Sequence, residues 1–516
     1  MTDEPYVLPD GWTWATVQDV VLGAQSGFAS GKKNVQGGIK HLRMNNISEA
    51  CTLDLSSVTT VPKDLARPAH ILKPGDILFC HTNSMKLVGK TTLFDRADGP
   101  YAFSNHLTRL RVPTDGPPPE WLWFWLATLW RQRYFETRCK QWVNQATVER
   151  GTLLSAPIPV APLSEQRRIV AHVTKMIALN RIARNRLQKL PGIIKRFRQS
   201  VLAKAFHGEL TEHESNNEST KKLIERMNEE RSQRWEEEAR SKGKASKKLK
   251  YEEIRPHHSD DLAHLPQGWV WVRLRQLLRE QLRNGKSALP SESPHGIPVL
   301  RLSAVTFKDF GPSNIKLCAL EKEDVKDLWV KPHDILVARS NTSEYVGMAA
   351  IYEGPGDLFS FPDLMIRVRA DEQIILPKFL ASFLDSASAR DYFRDRAGGT
   401  AGSMPKISQT DIENLSVPLA PISEQEQVVK KIQDMFTSAG AVEVAVQEGI
   451  REATLLERSV LTRAFRGQLV SQNPNDEPAS IALERIRAHN GELKNKGKLH
   501  AMLQLAGPSR ASRRDT

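Results

Sequence analysis

The chain has 516 residues, 40% of them hydrophobic, with 73 Lys and Arg against 60 Asp and Glu and a formal net charge of +13. That length implies three or four folding units, and the hydrophobic content suffices for packed cores, which excludes global disorder. The longest apolar run, Trp121 to Trp130, is far short of the ~20 residues a bilayer demands, so no membrane partner is expected.

In chain order, Met1-Thr2-Asp3-Glu4-Pro5 offers no basic and apolar leader, so no secretory signal is expected. Leu8-Pro9-Asp10-Gly11-Trp12 opens a stretch of short apolar segments punctuated by Gly and Pro. Ile77-Leu78-Phe79-Cys80, after the turn Lys73-Pro74-Gly75-Asp76, predicts a buried strand. Pro119 to Trp130 predicts a helix opened by Pro. From Ser164-Glu165-Gln166 a long helix is predicted, with Ile169, Val173, Met176, Asn180, Ala183, Leu187 and Leu190 at alternating steps of four and three. That is the seam of a coiled coil, with Asn180 as a polar residue that fixes register. Pro191-Gly192 should kink or end the run. Residues 211–261 are dense in both charges and poor in large apolar side chains, and read as a linker with some helix.

The same signals then return. Leu265-Pro266-Gln267-Gly268-Trp269 repeats the opening at an offset of 257, and Lys331-Pro332-His333-Asp334-Ile335-Leu336 repeats the strand at 258. Pro421-Ile422-Ser423-Glu424-Gln425 repeats the helix start at 259, and Ala464-Phe465 with Gly467 repeats Ala205-Phe206 with Gly208 at 259. A second strand is expected at Ile335-Leu336-Val337-Ala338, and a second helix from Pro377 to Leu384. The second seam is Val428, Ile432, Met435, Ala439, Val442 and Val446. An offset that drifts by two residues over more than 200 marks a duplication. The expected fold is α+β, with an internal pseudo-two-fold. Globular parts lie at 1–160 and 262–420, long helices at 161–210 and 421–470, a linker at 211–261 and a tail at 471–516.

Residues 161–210 carry eleven Lys and Arg against two Glu, whereas 421–470 carry six against seven Asp and Glu. Two copies of the first helix would repel, so it should pair with the second helix of the same chain. Arg167, Arg168, Lys175, Arg181, Arg184, Arg186 and Lys189 are candidates to face phosphates.

No catalytic constellation is legible. Ser84-Met85-Lys86-Leu87-Val88-Gly89-Lys90-Thr91 resembles a phosphate-binding loop, but Ser84 stands where Gly is needed, and its repeat has Met348 opposite Lys90. Gly89 and Gly347 are expected to serve a turn. Cys51, Cys80, Cys139 and Cys318 form no Cys-x-x-Cys pair, the histidines have no metal spacing, and reduced thiols in the cytoplasm fit best. The chain therefore reads as a binder with no metal and no cofactor of its own.

These residues resemble the DNA specificity subunit of type I restriction–modification systems. The marks are the repeated Leu-Pro-x-Gly-Trp, Lys-Pro-x-Asp-Ile-Leu, Ser-Glu-Gln and Ala-Phe-x-Gly segments, with Asn144-Gln145-Ala146-Thr147 before the first helix. The resemblance implies two target recognition domains separated by an antiparallel coiled coil, each domain reading half of a split, asymmetric target on double-stranded DNA. It implies a non-catalytic chain that recruits two modification subunits, which methylate adenine with S-adenosylmethionine. ATP-driven restriction subunits, with ATP and Mg2+, are implied as further partners.

Candidates to read bases are polar loop residues: Arg43, Asn45, Asn46, Asn83, Lys86 and Lys90 in the first globular part, Arg301, Arg339, Asn341 and Tyr345 in the second. Arg suits guanine and Asn suits adenine in the major groove. Arg43 and Arg301 are equivalent, so a shared structural or phosphate role is open. The diverged pairs Lys86/Glu344, His81/Arg339 and Lys90/Met348 suit different half-sites. A coiled-coil scaffold that binds DNA without sequence preference is the alternative.

Overall fold

A computed structural model describes residues 6–143, 145–211, 220–242, 253–257, 262–399, 404–489 and 491–492. Met1–Pro5, Asn144 and parts of the 211–261 and 471–516 stretches lie outside them. The chain divides into two units, residues 1–188 with 448–516, and residues 189–447. Each globular part therefore shares its unit with pieces of both long helical stretches.

In the first unit the central sheet is antiparallel, in the order Gly23–Ser26, Leu107–Arg111, Ile77–Cys80, Thr91–Leu93. Ile77–Cys80 is buried throughout, because Ile77 and Phe79 face one hydrophobic cluster while Leu78 and Cys80 face another. A strand covered on both faces reads as an unbroken apolar run. A smaller sheet joins Thr59–Val61, Ile39–Leu42 and Tyr101–Phe103. Thr13–Thr16 pairs with Pro157–Val160, closing the globular part where its chain begins and ends.

The second unit repeats this plan. Its sheet runs Arg283–Asn284, Met365–Val368, Ile335–Ala338, Ala349–Ile351, and Val270–Arg273 pairs with Ser416–Leu419. Ile335 and Val337 face one cluster, Leu336 and Ala338 another. The helices opened by Pro lie at Pro119–Arg131 and Pro377–Leu384, as the sequence predicts.

The repeated motifs are the joints between globular part and helix. Trp12 sets its ring edge against Trp121, and Trp269 meets Phe379 in the same way. The Gln166 side-chain amide donates to the Ala161 carbonyl and that of Gln425 to Ala420, each at 2.8 Å, which ties the start of each long helix to the strand before it. Phe465, at the end of the later helix, fits between Trp121 and Trp125. Phe206, at the end of the earlier one, fits between Phe379 and Phe383. Each globular part is thus clasped by the start of its own helix and the end of the other.

The earlier helical stretch is two helices, Leu163–Leu187 and Leu190–Phe206, with Pro191 in the first turn of the second. The later one is a single helix, Ile422–Phe465. Helix pairing is antiparallel within each unit. The Asn180 side-chain amide donates to the Ala453 carbonyl at 2.7 Å in the first, and Arg198 pairs with Glu443 at 2.9 Å in the second.

The seam differs from the expected one. Ile169 and Val173 are buried in the globular core of the first unit, and Val428 and Ile432 in that of the second, so the outer seam positions pack on the domains. Along Ile422–Phe465 the buried column is Ile432, Ala439, Val446, Ala453 and Val460, at steps of seven. Its companion column is half-buried Phe436, Glu443, Ile450 and Glu457; Met435 is half-buried as well and packs against the second unit's core. Val442 is 49% exposed and does not belong to the seam. The shift has a physical cause: Glu443 and Glu457 sit on the packed side because Arg198 and Arg131 meet them there.

The charged stretch is more than a tether. Thr220–Lys242 is a helix whose Ile224 and Met227 join the second unit's core, together with Ile254. Asn228 holds Ile254 in place by donating to its carbonyl and accepting from its N–H.

Candidate nucleic-acid interface

Both central strands lead into the same turn. Asn83 and Asn341 each accept the N–H of the next residue on the side-chain carbonyl at 2.8 Å. Val88 and Val346 N–H then donate to Ser84 and Thr342, and Gly89 and Gly347 N–H donate back to Cys80 and Ala338. Gly89 has φ +90° and lies against the Phe135 ring, and Gly347 has φ +73° against Phe393, so a side chain would be both strained and obstructed there. The stretch that resembles a phosphate loop is a structural turn.

This geometry reassigns several candidates. Asn46 is buried, its side-chain amide donating to the carbonyls of Asp54 and Ser57 while its oxygen accepts the Arg43 N–H. Lys90 is buried and donates to the Ile47 carbonyl. Neither can reach a base, because both are buried where the loop over residues 43–57 folds, Asn46 bonding three backbone groups and Lys90 the Ile47 carbonyl. Asn83 and Asn341 commit their oxygens to the turn. Arg43 and Arg301 both sit immediately before a short helical segment, Met44–Asn46 and Leu302–Phe307. Arg301 donates to the Ile315 carbonyl at 3.2 Å. Asn45 and Lys86 are exposed, and Arg339 and Tyr345 are partly so.

The basic helix residues divide as well. At about 100° per residue, Arg167, Lys175, Arg181 and Arg186 fall on the exposed side of Leu163–Leu187, away from the column Val173, Asn180 and Leu187. Arg168 is tied to Asp476 at 2.6 Å. Lys189 is exposed between the two helices. Arg184 points the other way, into a cleft of about 690 Å³ that it shares with Lys86, Arg131, Arg133 and Arg458. Arg131 is neutralised by Glu457 at 2.7 Å and Arg133 faces Glu136 at 3.7 Å, and Glu49 also lines the cleft, whereas Lys86, Arg184 and Arg458 make no ion pair among the described residues. A loop candidate and a helix candidate, 98 residues apart in sequence, thus meet in one basic recess suited to phosphate.

The sequence reading missed a hairpin. Lys140–Trp142 pairs with Gln145–Thr147, and the latter pairs with Thr82–Asn83 beside the turn. Bridges Ser340–Lys406 and Gly398–Lys406 repeat this pairing in the second unit. Strands of three residues carry almost no periodic signal.

Among the described residues no group of three or more His, Cys, Asp or Glu could hold a metal, and no helix is long and apolar enough to cross a membrane.

Comparison with known proteins decides the resemblance. The chain is 27% identical over 502 residues to the type I restriction enzyme EcoKI specificity subunit of Escherichia coli K12, covering 93% of this chain and 96% of that one. The chain is similar to type I restriction enzyme specificity subunits. The StySPI specificity subunit of Salmonella potsdam is 26% identical over 496 residues, with the same two coverages. No protein-family model matches. Among solved structures, the fold is shared with a chain from work on complex assembly and conformational transition of the type I restriction–modification system, at a TM-score of 0.64 and 19% identity, covering 90% of this chain and all of that one. It is shared too with the HsdS subunit of Thermoanaerobacter tengcongensis, at a TM-score of 0.53, 19% identity and coverages of 91% and 100%.

Proposed function

We propose that the chain is the sequence-specific DNA-binding specificity subunit of a type I restriction–modification complex. Each globular part reads one half of a bipartite, asymmetric target on double-stranded DNA. The long helices form an antiparallel spacer between them and dock two adenine methyltransferase subunits. The chain itself performs no catalysis. S-adenosylmethionine, ATP and Mg2+ serve the methyltransferase and restriction partners, and the complex works in the cytoplasm.

The observation that carries this reading is the duplication with divergence. The joints of the two units repeat at offsets of 257–259, sharing Trp12/Trp269, Gln166/Gln425 and Phe206/Phe465 and keeping an aromatic where Trp121 and Trp125 become Phe379 and Phe383, while the exposed positions beside the two turns differ, as Lys86 and Glu344 do. Matching joints suit a platform that meets the same partner twice; differing loops suit two unlike half-sites. Exposed apolar side chains on the helices support docking: Leu179, Ile182, Leu455 and Leu456 in the first unit, Ile193, Phe197, Val442 and Val444 in the second. The test is methylome sequencing of cells that express the chain with an adenine methyltransferase subunit encoded beside it. A split motif methylated only when both are present supports the reading. DNA binding that is salt-sensitive but equal for all sequences, with no methylated motif, would establish the scaffold alternative instead.

A further inference from the structure

Resting on that reading, we propose that Trp142 is a wedge. Its indole enters the base stack of the half-site met by the first globular part, at the step opened when the base to be methylated leaves the duplex. A base inside a duplex is out of an enzyme's reach until it is extruded. Aromatic and apolar side chains are suited to fill or pry such a step.

The hairpin is built to present this ring. Its root is fixed: Ala146 is fully buried opposite Asn83, Thr147 pairs with Thr82, and the Val148 N–H donates to the His81 carbonyl at 2.8 Å. Its tip is bare, with Trp142 66% and Val143 93% exposed, and Trp142 makes no ring contact among the described residues. The indole of Trp142 beside Val143 presents a large apolar face that a partner would bury.

The surroundings favour DNA as that partner. The tip is flanked by exposed Gln141 and Gln145, which suit base edges or phosphates as hydrogen-bonding groups, and by Lys140, which is paired with Glu149 at 2.5 Å. The strand it pairs with, Thr82–Asn83, runs into the turn whose Lys86 lines the basic cleft. Between the bridged residues Gly398 and Lys406 of the second unit the sequence, Gly399-Thr400-Ala401-Gly402-Ser403-Met404-Pro405, contains no aromatic residue. A protein partner that docks on both copies of a duplicated chain should meet residues the copies share. Trp142 is not shared, which suits a target whose halves differ.

The experiment uses the full chain assembled with its methylating partner, carrying Trp142→Ala or Trp142→Phe. The probes are a duplex bearing the motif found by methylome sequencing, with 2-aminopurine replacing the methylated adenine, and a scrambled duplex of equal length. Trp142→Ala should weaken target binding roughly ten-fold or more, leave scrambled binding within about two-fold, and reduce the 2-aminopurine fluorescence rise, with Trp142→Phe recovering most of each. Target binding and fluorescence unchanged in Trp142→Ala would overturn the wedge alone. So would a joint loss of binding to both duplexes with failed assembly on size exclusion, which would make Trp142 a contact to the methylating partner. Wild-type complex that binds both duplexes equally would overturn the specificity reading and the wedge together.

Discussion

Asp76 and Arg111 meet through two hydrogen bonds of 2.6 Å, one to each carboxylate oxygen. The same clamp joins Asp334 to Arg369 at 2.6 and 2.7 Å. Each aspartate also accepts the N–H of the lysine three residues earlier, Lys73 or Lys331, at 2.8 Å. The Lys-Pro-x-Asp segment is thus the lock that fixes the central strand to its neighbour, and it recurs because both sheets need it.

Asp76→Asn should destabilise the first unit by about 3 kcal/mol. That is the low end for breaking a buried pair, because the Arg111 side chain is 28% exposed and water can take up part of its charge. Urea denaturation measures it; a midpoint equal to wild type would show that the clamp contributes nothing net.

The two locks differ at the x position. Gly75 has φ +92° and His333 φ +69°, a region that costs a residue with a side chain about 1–2 kcal/mol. His333 recovers little from Glu372, since both partners of that 3.1 Å contact are half exposed. His333→Gly should therefore raise stability, and Gly75→His should lower it, each by about 1 kcal/mol. Paired melting curves check the sign of both.

Glu165 supplies a pH dependence. It is buried, one oxygen accepts the Trp12 indole N–H at 3.1 Å, and the other finds no partner. Burial pushes its carboxyl above the usual range, opposed by the Trp12 hydrogen bond and the Arg168 charge and reinforced by Asp476. A raised carboxyl means that the native state holds this proton more tightly than the unfolded chain. Its contribution is complete below Glu's ordinary value, about 4.3, and is lost as pH rises through the higher native value. Glu165→Gln keeps an acceptor for Trp12 and removes the buried charge. The variant should melt above wild type at pH 7.5, and the gap should close by about pH 4. A gap independent of pH would refute this.

What the sequence discloses is what recurs or has a strong period. Ile77–Cys80 and Ile335–Ala338 were readable because both faces of the strand are covered, so no polar residue interrupts. The joints were readable because a duplication prints them twice. Asn46 and Lys90 were not, since residue type announces chemistry but not direction: the carbonyls that occupy them belong to Asp54, Ser57 and Ile47, brought near by loops without period. Val442 misled for another reason. Steps of four and three fit two adjacent columns of one helix, and only the partners Arg198 and Arg131 select the column with Glu443 and Glu457.

The seam shift is itself testable. Val446 is 4% exposed and Val442 is 49% exposed. Val446→Asp buries a charge with no partner and should cost about 3 kcal/mol or more, whereas Val442→Asp should stay within about 0.5 kcal/mol. Thermal melting followed by helical circular dichroism separates them. Equal losses would restore the column expected from the sequence. If the methyltransferase docks on this face, Val442→Asp should weaken its association while leaving the melt unchanged.

The last prediction is modular specificity. Each unit closes its own hydrophobic core around its globular part, and its joints to the helices use side chains that both copies share, such as Gln166 and Gln425 or Phe465 and Phe206. Sequence information must then be local to the exposed loops, and the joints should accept a foreign globular part that carries the same motifs. Exchanging residues 1–160 for the equivalent part of a relative should change one half of the methylated motif and leave the other intact. Seven residues inserted into both helical stretches keep the column that steps by seven in register and lengthen the helices by about 10 Å. That is about three base pairs, so the unspecified gap should grow while both half-sites persist. Methylome sequencing of cells carrying each variant with the methylating partner reads both outcomes. A domain exchange that altered both half-sites, or one that abolished DNA affinity without redirecting methylation, would mean that the two units do not read independently.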